Sequence, residues 1–298
     1  MSEATKIKIT QLIIYPVKSL AGISLQNSEL DSMGLKYDRR WMLVTPEGKF
    51  LSQRQIPQMA LIKTALDSNG RLTLSKQGMQ DHLVPDVSEP SESTKLEIMS
   101  VTIWNDVVQA TKVGDETDIW LSNALNTLCH LVYISENEVR QCDLDYAKQG
   151  DRTGFSDGFP ILLLSEASLA DLNNRLDEPV AMKRFRPNIV VSGCDAFAED
   201  QLKSFTLGDV AMRGVKLCSR CVITTVNPET GERTNMEPLA TLMKYRKGIA
   251  ENSSNKVFFG MNVIHENQGR LKVGDVIKET LIKSNRFFVI PAQAGIYL

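Results

Sequence analysis

The sequence predicts an α+β protein, mainly β, in which a barrel of short strands is decorated by helices. Three observations carry that expectation. β-Branched runs recur along the chain, Gly, Pro and Asn clusters punctuate them at hairpin spacing, and apolar residues fall at helical intervals in only a few segments. At 298 residues there is chain enough for one large or two ordinary domains whose cores need no covalent staple.

From the N-terminus, Ile7 and Ile9 alternate with lysines as in a strand. Trp41 to Thr45 and Phe50 to Ser52 flank Pro46-Glu47-Gly48-Lys49, a first hairpin. Leu61 to Leu66 and Arg71 to Ser75 flank Asp67-Ser68-Asn69-Gly70, a second, whose Asn-Gly pair suits the positive φ values of a tight turn. Asp81 to Thr94, rich in Pro, Ser and acidic residues, is expected to be an exposed loop, with strands resuming at Lys95 to Ile103. A helix is expected over Asp115 to Leu128, with Trp120, Ala124 and Leu128 on one face.

In the second half, Ser165 is suited to cap a helix carrying Leu169, Leu172 and Leu176, and Pro238 fits the first turn of another carrying Leu239, Leu242 and Met243. Strands are expected at Asn188 to Ser192, Leu217 to Val226, Val257 to Ile264 and Leu271 to Ile277. Three hydrophobic-Gly-Asp steps, at Gly114, Gly208 and Gly274, are turn chemistry.

Composition narrows the function classes. A formal net charge of -2 gives no electrostatic reason to expect nucleic acid as partner. The longest clean apolar run, Phe159 to Leu164, is far short of the roughly 20 residues that cross a bilayer, and Met1 to Thr10 lacks a hydrophobic signal core. The expectation is a cytoplasmic protein without a membrane partner. Five cysteines, odd in number and mostly scattered, do not form a disulfide framework.

Only Cys218 and Cys221 sit close together, in Cys218-Ser219-Arg220-Cys221. A thiolate is both metal ligand and nucleophile, and a neighbouring Arg favours the ionised sulfur. Structural zinc is disfavoured because His82, His130 and His265 are far apart and no second C-x2-C exists. A thioredoxin-like pair is disfavoured because Val222 to Val226 reads as a continuing strand, where that motif wants a helix N-terminus. Lys18 and Ser19 in Tyr15-Pro16-Val17-Lys18-Ser19-Leu20 lack the upstream glycines of a P-loop, yet an ammonium and a hydroxyl suit one phosphate or carboxylate. Arg39 in Asp38-Arg39-Arg40-Trp41 and Arg186 in Arg184-Phe185-Arg186-Pro187-Asn188 offer planar forks for an anion or a pterin edge, and Asn188 offers donor and acceptor. Taken one at a time, each segment reads first as solvated or ion-paired side chains.

Together and in this order, these segments resemble the MOSC superfamily, in the branch of the mitochondrial amidoxime reducing component and its bacterial relatives. The resemblance runs from about Ile7 to Glu279 and includes Ser165-Glu166-Ala167-Ser168-Leu169, Thr224-Thr225-Val226, Glu237-Pro238-Leu239 and Leu271-Lys272-Val273-Gly274-Asp275. It implies a MOSC β-barrel over residues 126–281, an N-terminal β-rich domain over 1–125 whose first strand packs into the barrel, and a tail over 282–298 without counterpart. It also implies a molybdenum cofactor with Cys221 as the metal's protein ligand, and Arg220 favouring its ionised sulfur. Lys18, Ser19, Arg39, Arg186, Asn188, Ser219 and Arg220 would surround the molybdopterin phosphate and ring, a cationic, hydrogen-bonding environment that an anionic pterin needs. Asp157, in Phe155-Ser156-Asp157-Gly158, would lie near the metal as a proton-delivering group.

The implied activity is two-electron reduction of N-hydroxylated small molecules such as amidoximes, by an oxidoreductase. No cysteine follows Cys221, so the expected electron source is a separate flavin or iron–sulfur protein. The alternative from another class is a protein that binds or carries the cofactor without turning over substrate.

Overall fold

The computed structural model describes residues 6–88, 96–250 and 253–279. Its centre is an eight-stranded sheet in the order Ile277–Glu279, Ser204–Leu207, Val210–Arg220, Val257–His265, Ile161–Ser165, Ile189–Ser192, Lys8–Ile14, Ile23–Leu25. The first strand of the chain therefore lies inside the sheet built by the second half, where Leu12 pairs with Ile189 and Lys8 with Ser192. One pair is parallel, Ile161–Ser165 beside Ile189–Ser192, and helix Glu166–Asn173 lies in the crossover between them. Ser165 caps that helix by accepting from Ser168 N, as the sequence suggests. Leu12, Leu163, Phe205, Met212 and Val263 fill the sheet's main core.

A second, four-stranded sheet, Trp41–Val44, His130–Tyr133, Asp106–Lys112, Ile98–Ile103, is built largely from the first half, and helix Asp115–Leu125 packs on it. Its hydrophobic core includes Leu43, Leu121 and Leu131. The expected tail over 282–298 falls outside the described residues. Among those described, no helix is long and apolar enough to cross a membrane.

Several boundaries differ from expectation, each for a local reason. Asn126 adopts the left-handed conformation and stops the first helix at Leu125, so Leu128 is 75% exposed and the buried face runs through Thr117, Leu121, Ala124 and Leu125. In the third helix, Leu239–Tyr245, Leu239 and Leu242 are buried but Met243 faces out. The Asp67–Gly70 turn uses positive φ at Gly70 alone, because the Asp67 carboxylate accepts from Asn69 N and Arg71 N. His82–Leu83, expected in a loop, pairs with Leu72–Ser75, and residues 89–94 of that loop, with residue 95 of the strand expected after it, are outside the described set. The Val273-Gly274-Asp275 turn divides the expected Leu271–Ile277 strand into Gly269–Lys272 and Ile277–Glu279.

The largest departure surrounds the C-x2-C. Instead of spanning Leu217 to Val226, the strand runs Val210–Arg220 and gives way to a 3-10 turn over Val222–Thr225. β-Branched residues read as strand, but the Thr224 and Thr225 hydroxyls donate to Cys221 O and Val222 O, tying the backbone into a turn. Two register shifts, at Gly214/Lys216 and Leu217/Ser219, bend the strand just before Cys221.

Candidate active site

The strand ends Lys8–Ile14 and Val210–Arg220, the segment after Phe185 and the loop 153–158 converge on one cleft of about 860 Å3. All nine predicted site residues line it: Lys18, Ser19, Arg39, Asp157, Arg186, Asn188, Ser219, Arg220 and Cys221. Seven cationic side chains face three carboxylates around its walls, so an anion is favoured there despite the protein's small net charge.

Tyr15 organises the basic wall. The Arg39 guanidinium lies 4.3 Å from its ring centre and that of Arg186 4.1 Å. Arg39 Nη1 donates to Asn188 Oδ1 at 3.0 Å and to the buried Asp38 carboxylate, and its Nη2 donates to Arg186 O at 3.1 Å. Arg186 Nη1 donates to Leu20 O at 2.7 Å, and burial brings the Arg186 guanidinium down to about 10. Asn188 is fully committed: Oδ1 also accepts from Leu162 N, and Nδ2 donates to Ile13 O. It fixes the wall and Arg39 rather than presenting free groups.

Lys18 is buried, with Nζ donating to Phe155 O at 2.8 Å and Asp157 Oδ1 at 2.6 Å. Burial draws the ammonium down to about 8, even though Asp157 favours its charged form. Desolvation raises the Asp157 carboxyl, but Lys18 and Arg54 outweigh it and hold the group far below the usual carboxylate range. At neutral pH Asp157 is a carboxylate, so any proton leaving the pair is the one shared with Lys18.

The expected partner of Cys221 is corrected. Arg220 Nη1 donates to Cys218 Sγ at 3.1 Å and its Nη2 to Phe185 O, because residues two apart on a strand share a face and adjacent ones do not. The cation at Cys221 is Arg54, whose Nη2 lies 3.1 Å from Cys221 Sγ and 3.7 Å from Asp157 Oδ2. Sequence reading missed Arg54 because it lies 167 positions away in an unremarkable polar run. It also missed Arg140, which is buried and donates to Gly154 O and Ser156 O, fastening the loop that bears Asp157.

Arg54 Nη1, Arg186 Nη2 and Arg220 Nε are buried with no hydrogen-bond partner among the described residues. Three buried, unpartnered guanidinium nitrogens on residues that line one cleft are spare donors of the kind a phosphate group can accept from. Backbone strain points the same way. Of seven non-glycine residues with positive φ among those described, Ser19, Arg39, Trp104 and Arg186 line this cleft. No three metal-ligating side chains converge among the described residues. A group that carries most of its own ligands could take one soft sulfur here, and Cys221, at the strand end with Arg54 Nη2 3.1 Å from its Sγ, offers one.

A strand-rich fold with a cysteine at the end of a bulged strand, facing a basic cleft, defines a class. Residues 6–128 match the MOSC N-terminal beta barrel domain and residues 150–278 the MOSC domain, and the chain belongs to the MOSC family. Human mitochondrial amidoxime-reducing component 1 is 36% identical over 282 residues, which span 90% of this chain and 82% of that protein. Rat mitochondrial amidoxime reducing component 2 is 36% identical over 285 residues, with the same coverage of each. A molybdenum cofactor sulfurase of Solanum lycopersicum is 31% identical over 294 residues, 90% of this chain but 35% of that protein.

Proposed function

We propose that the cleft holds a molybdenum cofactor and that the protein reduces N-hydroxylated small molecules, such as amidoximes, with electrons from a separate flavin or iron–sulfur protein. The observation that carries this reading is the pairing of the half-buried Cys221 thiol, which has Arg54 at its sulfur, with buried and unpartnered guanidinium nitrogens around one cleft. The names of the human and rat relatives support the substrate class, and that of the tomato relative supports the cofactor.

Cys221 would supply the metal's protein sulfur. Lys18, Ser19, Arg39, Arg186, Ser219 and Arg220 would hold the phosphate and pterin, with Asn188 acting by fixing Arg39. When bound, the cofactor supplies reversible two-electron chemistry at an oxygen-accepting metal. The overall reaction consumes two electrons and two protons, breaks the N–O bond and releases water. Lys18 Nζ and Asp157 Oδ1 share the proton that the chain itself can deliver, and Arg54 keeps Asp157 ionised until that proton is needed.

The test uses protein made in a host that assembles the cofactor and is supplied with molybdate. Expected are near-stoichiometric molybdenum and amidoxime reduction by a reduced dye, abolished in Cys221→Ser and much less affected in Cys218→Ser. Folded protein carrying neither molybdenum nor a pterin would overturn the proposal. So would equal loss in both cysteine variants. Bound cofactor without Cys221-dependent reduction would favour the carrier reading.

A further inference from the structure

Trp104 lines the cleft, and neither the cysteine motif nor the arginine clusters account for it. It sits with Asn105 in the two-residue turn between strands Ile98–Ile103 and Asp106–Lys112, where Ile103 pairs with Asp106. Positive φ falls on Trp104, at +56°, and not on Asn105. That pattern belongs to a II′ hairpin turn, whose first central residue is usually glycine. A bulky aromatic there strains the backbone and leaves a large apolar side chain 43% exposed.

The ring is nevertheless held in place. The Arg54 guanidinium lies 4.5 Å from its centre, and Phe50 meets it at 5.0 Å with a 56° tilt. The same Arg54 reaches Cys221 Sγ, so one side chain links the indole to the proposed reaction centre. Strain, exposure to the cleft and rigid support together describe a surface kept for a ligand rather than for the fold.

We propose that Trp104 is the substrate-facing wall of the cleft, stacking on the planar, conjugated part of an N-hydroxylated amidine, so that the protein prefers flat, aryl-bearing substrates to aliphatic ones. This rests on the reductase reading above. An aryl group conjugated to the amidine extends the flat π-surface that an indole face can stack on, which a methyl group does not.

The test compares a phenyl-bearing amidoxime with its methyl counterpart on cofactor-loaded wild type, Trp104→Gly and Trp104→Phe. Glycine suits the turn, so Trp104→Gly keeps the fold while removing the ring. Its kcat/KM ratio of phenyl over methyl substrate should fall roughly tenfold, through KM, in line with the value of one aromatic stack. Trp104→Phe should stay within about threefold of wild type. Calorimetric titration with the phenyl amidine product, which needs no turnover, should show the same roughly tenfold weakening in Trp104→Gly. An unchanged ratio in Trp104→Gly, or Trp104→Phe behaving like Trp104→Gly, overturns the inference and leaves the reductase reading standing. If loaded wild type reduces neither amidoxime, the reductase reading itself fails and takes the substrate class with it.

Discussion

Replacing Lys18 by Met should reveal what the buried ammonium costs the protein before any ligand is bound. Burial takes Lys18 from the usual 10.5 to about 8. At 1.36 kcal/mol per pH unit that difference corresponds to roughly 3 kcal/mol. The folded-state value is the lower one, so between pH 8 and 10.5 the unfolded chain binds more protons and wild-type stability rises with pH. Below about pH 8 the full cost is present. Lys18→Met carries no such term, and its loss of the bond to Phe155 O is an offset independent of pH. Its stability relative to wild type should therefore be highest near pH 7 and should decline by roughly 3 kcal/mol by pH 10.5, on the order of 5 °C in Tm. In wild type the Asp157 carboxyl is held far below the window, chiefly by Lys18; because Lys18→Met removes that cation, Lys18→Met/Asp157→Asn is measured beside it and should show the same trend with pH. Thermal and urea unfolding of cofactor-free protein at pH 7, 8.5 and 10.5 measure the trend. A difference that is flat with pH, or that grows toward pH 10.5, refutes the reasoning. Inorganic phosphate should raise the Tm of wild type more at pH 7 than at pH 10, and much less in Lys18→Met.

Three further outcomes follow from local geometry. Gly214→Ala drives a Cβ into Leu202 O and should cost about 2 kcal/mol or more in chemical denaturation, since the obstruction is backbone. Ser165→Ala removes the cap on Ser168 N and should cost about 1 kcal/mol, read from the urea midpoint at unchanged m. Arg140→Met frees the carbonyls of Gly154 and Ser156, so amide exchange over residues 153–158 should accelerate about tenfold or more while the Ile98–Ile103 strand stays protected. Uniform acceleration across the chain would instead mean global destabilisation.

The basic half of the candidate site was legible through the order of several short motifs and the resemblance they carry together, not through any one of them. Pro16 and Pro187 each precede residues that turn into the cleft, and Ser19, Arg39 and Arg186 take left-handed backbone there. What stayed hidden is long-range. Arg54 and Arg140 sit on elements far from the segments they serve, and no periodicity marks an arginine whose partner is a distant sulfur or carbonyl. The strand through Leu217 to Val226 failed because β-branching states how a residue packs, whereas threonine hydroxyls decide where its backbone bonds go. The Arg220 assignment failed through adjacency, since the side-chain alternation of a strand gives Arg220 to Cys218.

The costs gathered at the cleft are of one kind. Left-handed backbone at Ser19, Arg39, Trp104 and Arg186 costs about 1–2 kcal/mol per residue, and each buried guanidinium N–H without a partner costs about 1–3 kcal/mol. Trp104 could be relieved by glycine, and the three arginines by shorter side chains, with little loss to the cores, which lie elsewhere. None of these residues is explained by folding alone, and together they present donors, a cation and an aromatic face to the same space. A ligand that satisfies the orphaned nitrogens recovers several kcal/mol that the empty fold forgoes, so shortening one of these arginines should raise the stability of the ligand-free protein while it lowers affinity for the proposed cofactor.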